Sequence, residues 1–359
     1  MSTRTHERAS LTDHWLSLDL DAWTRHVVRR HFNPELGSPY WLKRATELSF
    51  DPMDITRYDQ LAEFGPFPPG DLRGMDPGDL VPRTVPRPLI GRVWESGGTT
   101  GDPVRVFYTE DMMTHRVEWR RWSYLFDGYQ AGRTWLQATP SGPHQIGNGA
   151  IELSEQLAGL VYGIDMDPRW IKQLIRAGKM KELGEYTEHV LGQIVDCLRS
   201  QHVHYLNTTP ALLQKLIARH PELVAALDGV RLGGTHMSPQ MYQDFVKALD
   251  GGLVRSGYGN TFGNAVSLHP QDGGAILPYA PTYPQVTMSV VDPEDFRKTV
   301  DKGQSGQLKL TVLHEDLFLP NLMERDEATR YDTKGEWPVD GVYNVRPLQV
   351  SQAAPEGLY

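Results

Sequence analysis

The segment ESGGTTGDP, from Glu95 to Pro103, has the residues best suited to bind a phosphate chain. Its six positions Ser96–Gly101 hold three glycines and three hydroxyl side chains. Glycine lets a backbone approach a ligand closely, and backbone N–H groups together with hydroxyls can wrap a polyphosphate. No Gly-Lys-Ser/Thr follows at Walker A spacing, and the segment is not a GxGxxG turn. These residues therefore predict a phosphate site outside the P-loop and dinucleotide-dehydrogenase classes.

Three further segments, rich in glycine, threonine and asparagine, each follow a short apolar strand. The predicted strands are Val203–Leu206, Val230–Leu232 and Leu253–Ser256, followed by NTTP (207–210), GGTHMSP (233–239) and GYGNTFG (257–263). The intervening helices begin with a hydroxyl residue before proline, a favourable helix start. Alternating strands and helices predict a parallel sheet, in which ligands bind beyond the carboxyl ends of the strands. We therefore expect the three segments to border a ligand site.

The remaining elements place these segments in an α/β protein. Prolines between positions 66 and 88 predict an irregular helical flank over residues 1–90. The other predicted elements are strand Arg105–Tyr108, helix Glu110–Gln130, strand Arg133–Ala138, helix Lys181–Ser200, and strands Val286–Val291 and Gln307–Val312. We expect parallel α/β subdomains followed by a β-rich distal portion, with the site carried by residues 91–359.

Composition narrows the partners and the compartment. Lys plus Arg number 36 and Asp plus Glu 45, a formal net charge of −9, which disfavours nucleic acid and membrane surfaces as partners. Apolar runs fall short of the roughly 20 residues that span a bilayer, and the N-terminus lacks the apolar core of a signal peptide. One cysteine, Cys197, cannot form an intramolecular disulfide. These features predict a cytoplasmic protein that acts on a small molecule.

Two histidine positions have both structural and functional interpretations. His202 and His204 lie on one face of a predicted strand, but no third metal ligand accompanies them, so we expect no metal site there. His144 follows the strand Arg133–Ala138 in a loop, where a histidine can be structural or can contact a substrate. No Gly-x-Ser-x-Gly elbow is present, which disfavours a hydrolase of that type.

Ser96–Pro103 resembles the phosphate-loop signature of the adenylate-forming superfamily of acyl-CoA synthetases, peptide-synthetase adenylation domains and luciferases, where Ser-Gly-Thr-Thr-Gly-Lys-Pro is usual. Later motifs occur in the order of that family. They are Leu232–Thr235 (the Gly-Gly segment beside adenine), Tyr258–Thr261 (Tyr-Gly-x-Thr), Gly303–Leu308 (Gly-Glu-x-Gly-Glu-Leu) and Glu324–Asp326 in place of Thr-Gly-Asp. The resemblance covers roughly residues 90–345 and is nearest to phenylacetate-CoA-ligase-like proteins, especially the short phenazine-antibiotic-biosynthesis members.

The resemblance implies an ATP site and an acyl pocket. It assigns phosphate binding to Ser96, Gly97, Gly98, Thr99, Thr100 and Gly101. It assigns the rest of the nucleotide to Gly233, Gly234, Thr235, Tyr258, Gly259, Asn260, Thr261 and Asp326. Within that set, Tyr258 would border adenine, Thr261 would contact the α-phosphate, and Asp326 would accept the ribose hydroxyls. The acyl pocket would be bordered by Gly257, Tyr258 and His144, and Thr100, Thr261 and His144 would act in catalysis.

Three features depart from the family pattern. Asp102 stands where lysine is usual, which removes a cation near the triphosphate. Phe262 stands where the family has a glutamate that binds magnesium, so no metal ligand is assigned. The sequence ends at Tyr359, where relatives continue into a smaller lid domain that supplies a lysine. We therefore expect no C-terminal lid, as in the short family members.

The resemblance implies activation of an aromatic or heteroaromatic carboxylic acid as acyl-AMP, with ATP and Mg²⁺, in a secondary pathway such as antibiotic biosynthesis. The acyl group would then pass to a thiol, an amine or a partner protein, and a partner could supply the lid. A homodimer is also implied. The departures leave an alternative open, a non-catalytic protein that binds a nucleotide or an aryl acid. Pyrophosphate release separates the two hypotheses, because only the enzyme forms acyl-AMP.

Overall fold

The computed structural model describes residues 11–96, 103–149, 152 and 156–348. Its N-terminal part contains helices α1 (Leu20–His31) and α2 (Pro39–Ala45), followed by four short 3-10 helices between Pro52 and Leu80. Prolines at the starts of three of these 3-10 helices are compatible with a first helical turn but not with continuation of a longer helix. This segment shares a hydrophobic core with the distal strands.

A five-stranded parallel sheet forms the middle of the molecule. Its order is β4-β3-β5-β6-β7, with strands β3 (Trp135–Gln137), β4 (Val161–Gly163), β5 (Tyr205–Thr208), β6 (Gly229–Leu232) and β7 (Leu253–Ser256). Its helices are α4 (Pro168–Arg176), α5 (Met180–Ser200), α6 (Pro210–Arg219), α7 (Pro221–Ala225) and α8 (Pro239–Ala248). Apolar residues of the helices and strands form one core around this sheet. The predicted parallel α/β arrangement is confirmed.

The helix starts follow the predicted capping chemistry. The Thr209 hydroxyl accepts a hydrogen bond from the Leu212 N–H at 3.3 Å, and the Ser238 hydroxyl accepts one from the Met241 N–H at 3.2 Å. The strand expected at Val203–Leu206 lies two residues later, because β5 pairs residue by residue with β3 from Tyr205 onward. The strand expected at Arg133–Ala138 is likewise shortened to Trp135–Gln137.

A seven-stranded antiparallel sheet forms the distal part, in the order β11-β12-β13-β14-β10-β9-β8. Its strands are β8 (Tyr258–Gly259), β9 (Asn264–Ser267), β10 (Tyr279–Pro281), β11 (Val286–Val291), β12 (Ser305–His314), β13 (Leu317–Tyr331) and β14 (Gly341–Pro347). The strand predicted at Val286–Val291 is confirmed, and that at Gln307–Val312 falls inside β12. Strand β8 continues directly from β7, so the chain passes from one sheet to the other beside Gly257.

The elements around the glycine-rich segment are a two-stranded antiparallel ribbon and a long helix. The ribbon pairs β1 (Gly91–Glu95) with β2 (Arg105–Thr109), and helix α3 (Glu110–Phe126) follows. The helix ends before the predicted Gln130, because Gly128 adopts a positive φ of 97°. None of the described helices is long and apolar enough to cross a membrane.

Candidate functional site

A cavity of about 450 Å³ lies between the two sheets, at the carboxyl ends of β5, β6 and β7. Asn207 of β5 and the residues just after β6 and β7 form part of its wall. The opposite side comes from helix α3 and from strands of the antiparallel sheet, including residues of β11, β12 and β13. The cavity is large enough for a nucleotide fragment with a small acid, and its position matches the general rule for parallel α/β sheets.

The cavity brings together most of the described residues that the sequence singled out. Those that line it are Ser96, His144, Gly233, Gly234, Gly257, Tyr258, Gly259, Asn260 and Thr261. Two do not line the cavity. Thr235 follows the Gly233-Gly234 segment in the sequence, and Asp326 contacts the cavity-lining Tyr258 through the hydroxyl of that residue. The predicted phosphate-binding residues Gly97, Gly98, Thr99, Thr100 and Gly101 fall outside the described residues.

Ser96 closes the base of the glycine-rich segment. Its N–H donates to the Val104 carbonyl at 2.9 Å, and its hydroxyl accepts from the Val104 N–H at 2.8 Å. These two bonds hold the entry and exit of the segment together at the end of the β1–β2 ribbon. Ser96 itself lines the cavity, and its hydroxyl already has a structural use.

Two carboxyl groups of β13 contact the Tyr258–Thr261 segment. The Tyr258 hydroxyl donates to Asp326 Oδ2 at 2.7 Å, and the Asn260 amide donates to Glu324 Oε1 at 2.8 Å. Both carboxyl groups thus reach the same segment, from a stretch of β13 whose pairing with β12 is irregular. Burial, and then the charge of Asp326, raises the pKa of Glu324 to about 7. Burial also raises the pKa of Asp326.

The turn that contains Thr261 is shaped by Asn260. The Asn260 side-chain oxygen accepts from the Phe262 N–H at 2.9 Å and from the Gly263 N–H at 3.1 Å, which is an Asx-type turn. The Tyr108 hydroxyl donates to the Thr261 carbonyl at 3.3 Å. Phe262 packs against the core of the antiparallel sheet. The turn therefore presents Thr261 and Asn260 to the cavity while Phe262 anchors it.

His144 and Lys172 form the polar side of the cavity next to β1. The Nδ1 atom of His144 lies 3.2 Å from the Glu95 carbonyl oxygen, and burial lowers the pKa of this histidine, which favours the neutral ring. Lys172, on α4, is half-buried, and its pKa falls to about 8 through burial and the neighbouring Arg176 and Arg325. The sequence pattern did not single out Lys172, because it stands in no motif and reaches the cavity only through the position of α4.

The buried carboxylate of Asp127 links several elements that surround the cavity. It is fully buried and pairs with Arg231 and, at 3.6 Å, with Arg255. The Ser267 hydroxyl donates to both Asp127 oxygens, at 2.8 and 2.9 Å. The Arg231 guanidinium lies 4.3 Å from the centre of the Tyr124 ring. Asp127 thus joins helix α3, strands β6 and β7, and strand β9 around the cavity.

One group of potential metal ligands lies beside the cavity in the described part of the chain. Asp111, His314 and Asp316 are the one described set of three potential ligands whose donor atoms lie together. Asp316 in this set already accepts from Arg30 and from Thr109, each at 2.8 Å. For Mg²⁺, whose ligands are oxygens, the carboxyl group of Glu324 in the cavity wall is a suitable donor, because burial and the charge of Asp326 disfavour its ionised form in the absence of a cation.

Comparison with solved structures identifies the fold. The open conformation of 2-hydroxyisobutyryl-CoA ligase, in complex with 2-HIB-AMP and CoA, matches with a TM-score of 0.67 and 16% sequence identity, over 92% of this chain and 72% of that chain. The same enzyme in the postadenylation state with 2-HIB-AMP matches with a TM-score of 0.67 and 16% identity, over 92% and 66% of the two chains.

No family model matches the sequence, and no curated protein matches it. The chain spans 66% to 72% of the length of the two ligase structures. The likeness in structure confirms the fold expected from the sequence: this chain has the fold of the large N-terminal domain of adenylate-forming enzymes.

Proposed function

We propose that this chain activates a carboxylic acid as acyl-AMP, using ATP. The observation that carries the proposal is the shared cavity. One space is lined by the Gly233-Gly234 segment, by Tyr258–Thr261 and by His144. The first two are the residues expected at the nucleotide and the third is expected at the acid, so both reactants would meet in this space. The solved ligase of the same fold carries an acyl-AMP, 2-HIB-AMP.

In the proposed reaction, a carboxylate oxygen of the acid bonds to the α-phosphorus of ATP. The bond from that phosphorus to the bridging oxygen of the β-phosphate breaks, and pyrophosphate leaves with the electron pair. Acceleration then depends on alignment of two anions and on stabilisation of negative charge. We assign alignment of the α-phosphate to Thr261 and Thr100, and contact with the acid to neutral His144 and to Gly257.

Nucleotide recognition is assigned to the segments beside β8. Tyr258 offers a ring face for adenine, next to the cavity-lining Gly233 and Gly234, and the backbone of Gly259 is closely packed against the Asn264 side chain. Asp326, whose Oδ2 accepts from the Tyr258 hydroxyl at 2.7 Å, would accept the ribose hydroxyls. Ser96 and the glycines and threonines of 97–101 would surround the β- and γ-phosphates.

Positive charge at the reaction centre is assigned to Lys172. It lines the cavity together with His144 and Ser96. Its neighbours Arg176 and Arg325 make the local field positive, which favours a polyphosphate. Lys172 would thus replace the cation that Asp102 removes from the glycine-rich segment. Mg²⁺, which the Glu324 carboxyl group of the cavity wall would help to hold, would neutralise part of the triphosphate charge.

The finer parts of the proposal concern substrate and partners. We propose an aromatic or heteroaromatic acid from a secondary pathway such as antibiotic biosynthesis. The motif resemblance supports it, as do Tyr108 and Phe262 in the cavity wall. The acyl group would pass to a thiol, an amine or a partner protein, which could also supply a lid. We further propose that the protein is a cytoplasmic homodimer.

Removal of the Asp326 carboxylate tests the nucleotide site. The variant Asp326→Asn should weaken AMP binding about tenfold by calorimetry, because hydrogen bonds to charged groups contribute about 1.5–3 kcal/mol. Glu327→Gln is a matched control: it removes the next carboxylate of β13, which pairs with Arg346. Unchanged AMP affinity in Asp326→Asn would refute the ribose assignment. Nucleotide and acid binding without pyrophosphate release would instead favour the non-catalytic binding protein.

A further inference from the structure

Helix α3 turns a polar face toward the cavity, although that face is buried. Its cavity-lining residues include Met112, His115, Arg116, Trp119, Arg120 and Ser123. The intervals of three and four residues place them on one side of the helix, over about 16 Å at 1.5 Å per residue. Meanwhile Leu125 is 42% exposed. A buried helix face is ordinarily apolar, so charged residues on this face call for a ligand or for structural partners.

Two arginines of this face share one carboxylate. Arg116, which is only 5% exposed, pairs with Glu152. Arg120 pairs with the same carboxylate at 2.5 Å. A further Arg116 nitrogen donates to the Gln145 carbonyl at 3.1 Å. The Nε atom of Arg116 has no hydrogen-bond partner among the described residues. Among the described residues, the ion pairs of this cluster join two guanidiniums to one carboxylate, and the Nε donor of Arg116 lacks an acceptor.

A second arginine pair adds to the excess of positive charge. Arg231, which also lines the cavity, shares Asp127 with Arg255. Burial, and also the charge of Arg231, lowers the pKa of Arg120, so the two guanidiniums are close enough to repel each other. In the ion pairs formed by described residues, four guanidiniums thus share two carboxylates. Unbalanced buried charge is costly, and an anion bound in the cavity would relieve that cost.

The wall also offers hydrogen-bond donors and an apolar surround. The buried Trp119 indole N–H has no acceptor within the described part of the chain. Met112 and Val286 line the same cavity, so a hydrocarbon body could extend along the wall between the reacting carboxylate and the arginines. Charge-assisted hydrogen bonds to arginine are among the strongest that a site of this kind can form.

We propose that the acid activated here carries a second anionic group, such as a second carboxylate, which Arg120 and Arg116 bind. The proposal rests on the proposed function, because it takes the other carboxylate as the group that attacks ATP. It narrows the substrate class to dianionic acids, aromatic diacids included. The alternative is that Glu152 merely fastens the segment after the 140–149 loop to α3 and that no anion enters.

Matched pairs of acids test the inference. The rate of acyl-AMP formation, followed by pyrophosphate release and by mass spectrometry, is compared for benzoate against isophthalate and for butyrate against succinate. The wild type should favour the diacid of at least one pair by about tenfold or more in kcat/KM. In Arg120→Gln this preference should fall about tenfold or more, since the excess cation is removed while Arg116 and Glu152 remain paired. Arg121→Gln, the next residue of the helix and outside the cavity, should keep the preference.

Two contrary results are distinguished, and a second variant is available if the first does not fold. Acyl-AMP from monoacids, with no diacid preference or with a preference that Arg120→Gln leaves unchanged, overturns the inference and keeps the proposed function. No acyl-AMP from any acid counts against the proposed function; calorimetric binding of isophthalate to the wild type and to Arg120→Gln then decides, and equal affinities overturn the inference. If Arg120→Gln fails to fold, Arg120→Lys replaces it. Lysine keeps the positive charge but lacks the forked guanidinium that binds a carboxylate through two hydrogen bonds, so the preference for the diacid should fall several-fold. An unchanged preference for the diacid overturns the inference.

Discussion

Glu324 should make the stability of this protein fall as pH rises, and Glu324→Gln should remove that effect. The pKa of Glu324 rises from its ordinary 4.5 to about 7, mainly through burial and then through the charge of Asp326. Each tenfold change in proton affinity is worth about 1.4 kcal/mol. The rise in the pKa of Glu324 therefore changes the unfolding free energy by at most roughly 3 kcal/mol. Because part of the side chain faces the cavity, we expect about 2 kcal/mol after screening by water.

The sign follows from proton linkage. Because its folded-state pKa lies above its unfolded-state pKa, Glu324 contributes stability that is complete below about pH 4.5 and is lost as pH rises through about 7. Glutamine keeps the shape and accepts from Asn260 through its carbonyl oxygen, yet never ionises. Relative to the wild type, Glu324→Gln should therefore gain about 2 kcal/mol in unfolding free energy between pH 5 and pH 8.

Urea unfolding at pH 5 and pH 8, followed by tryptophan fluorescence, measures this difference. Glu327→Gln serves as the control for loss of a carboxylate from the same strand. A wild-type minus Glu324→Gln difference that is the same at both pH values would refute the reasoning, because it would mean that the carboxyl group at position 324 ionises as easily in the folded protein as in the unfolded chain.

Two further changes probe other parts of the cavity. Lys172→Met should slow acyl-AMP formation about a hundredfold, by loss of a charge near the reacting phosphate. In the wild type the rate of acyl-AMP formation should fall as pH rises through about 8, where Lys172 loses its proton, and the rate of Lys172→Met should not show this fall. The same pH profile for both proteins would contradict the role of Lys172. Asp127→Asn should lower the unfolding free energy by about 3–4 kcal/mol in urea, since it leaves Arg231 and Arg255 without a buried counter-charge. Ser267→Ala, which removes only a hydrogen bond to Asp127, should cost about 1 kcal/mol, and equal effects of the two variants would contradict the charge argument.

Local signals in the sequence were sufficient for much of the fold. Thr209-Pro210 and Ser238-Pro239 mark the starts of two helices, and both caps are present in the structure. Strand β11 follows from its run of apolar and β-branched residues. Such signals lie within a few residues of each other. The shift of β5 to Tyr205 could not be predicted in this way, because it depends on the register against β3.

The site was predictable where a motif carries it and not where only the tertiary structure does. Tyr258, Asn260 and Thr261 stand in a recognisable segment and line the cavity. Lys172 reaches the same cavity from α4, whose local pattern carries no functional signal. For α3, the spacing of Arg116 and Arg120 with Trp119 was a signal, since it places charge on the face that also carries the buried aromatic residue.

The most direct test of the proposed function is a search for acyl-AMP. The protein is mixed with Mg-ATP and a panel of benzoic, cinnamic, phenazine-carboxylic and dicarboxylic acids, and the products are analysed by mass spectrometry with pyrophosphate measured in parallel. We expect an acyl-AMP and equimolar pyrophosphate with at least one acid. Binding of AMP or of an acid, with no acyl-AMP and no pyrophosphate for any acid, would contradict the claim that this chain is an adenylate-forming enzyme.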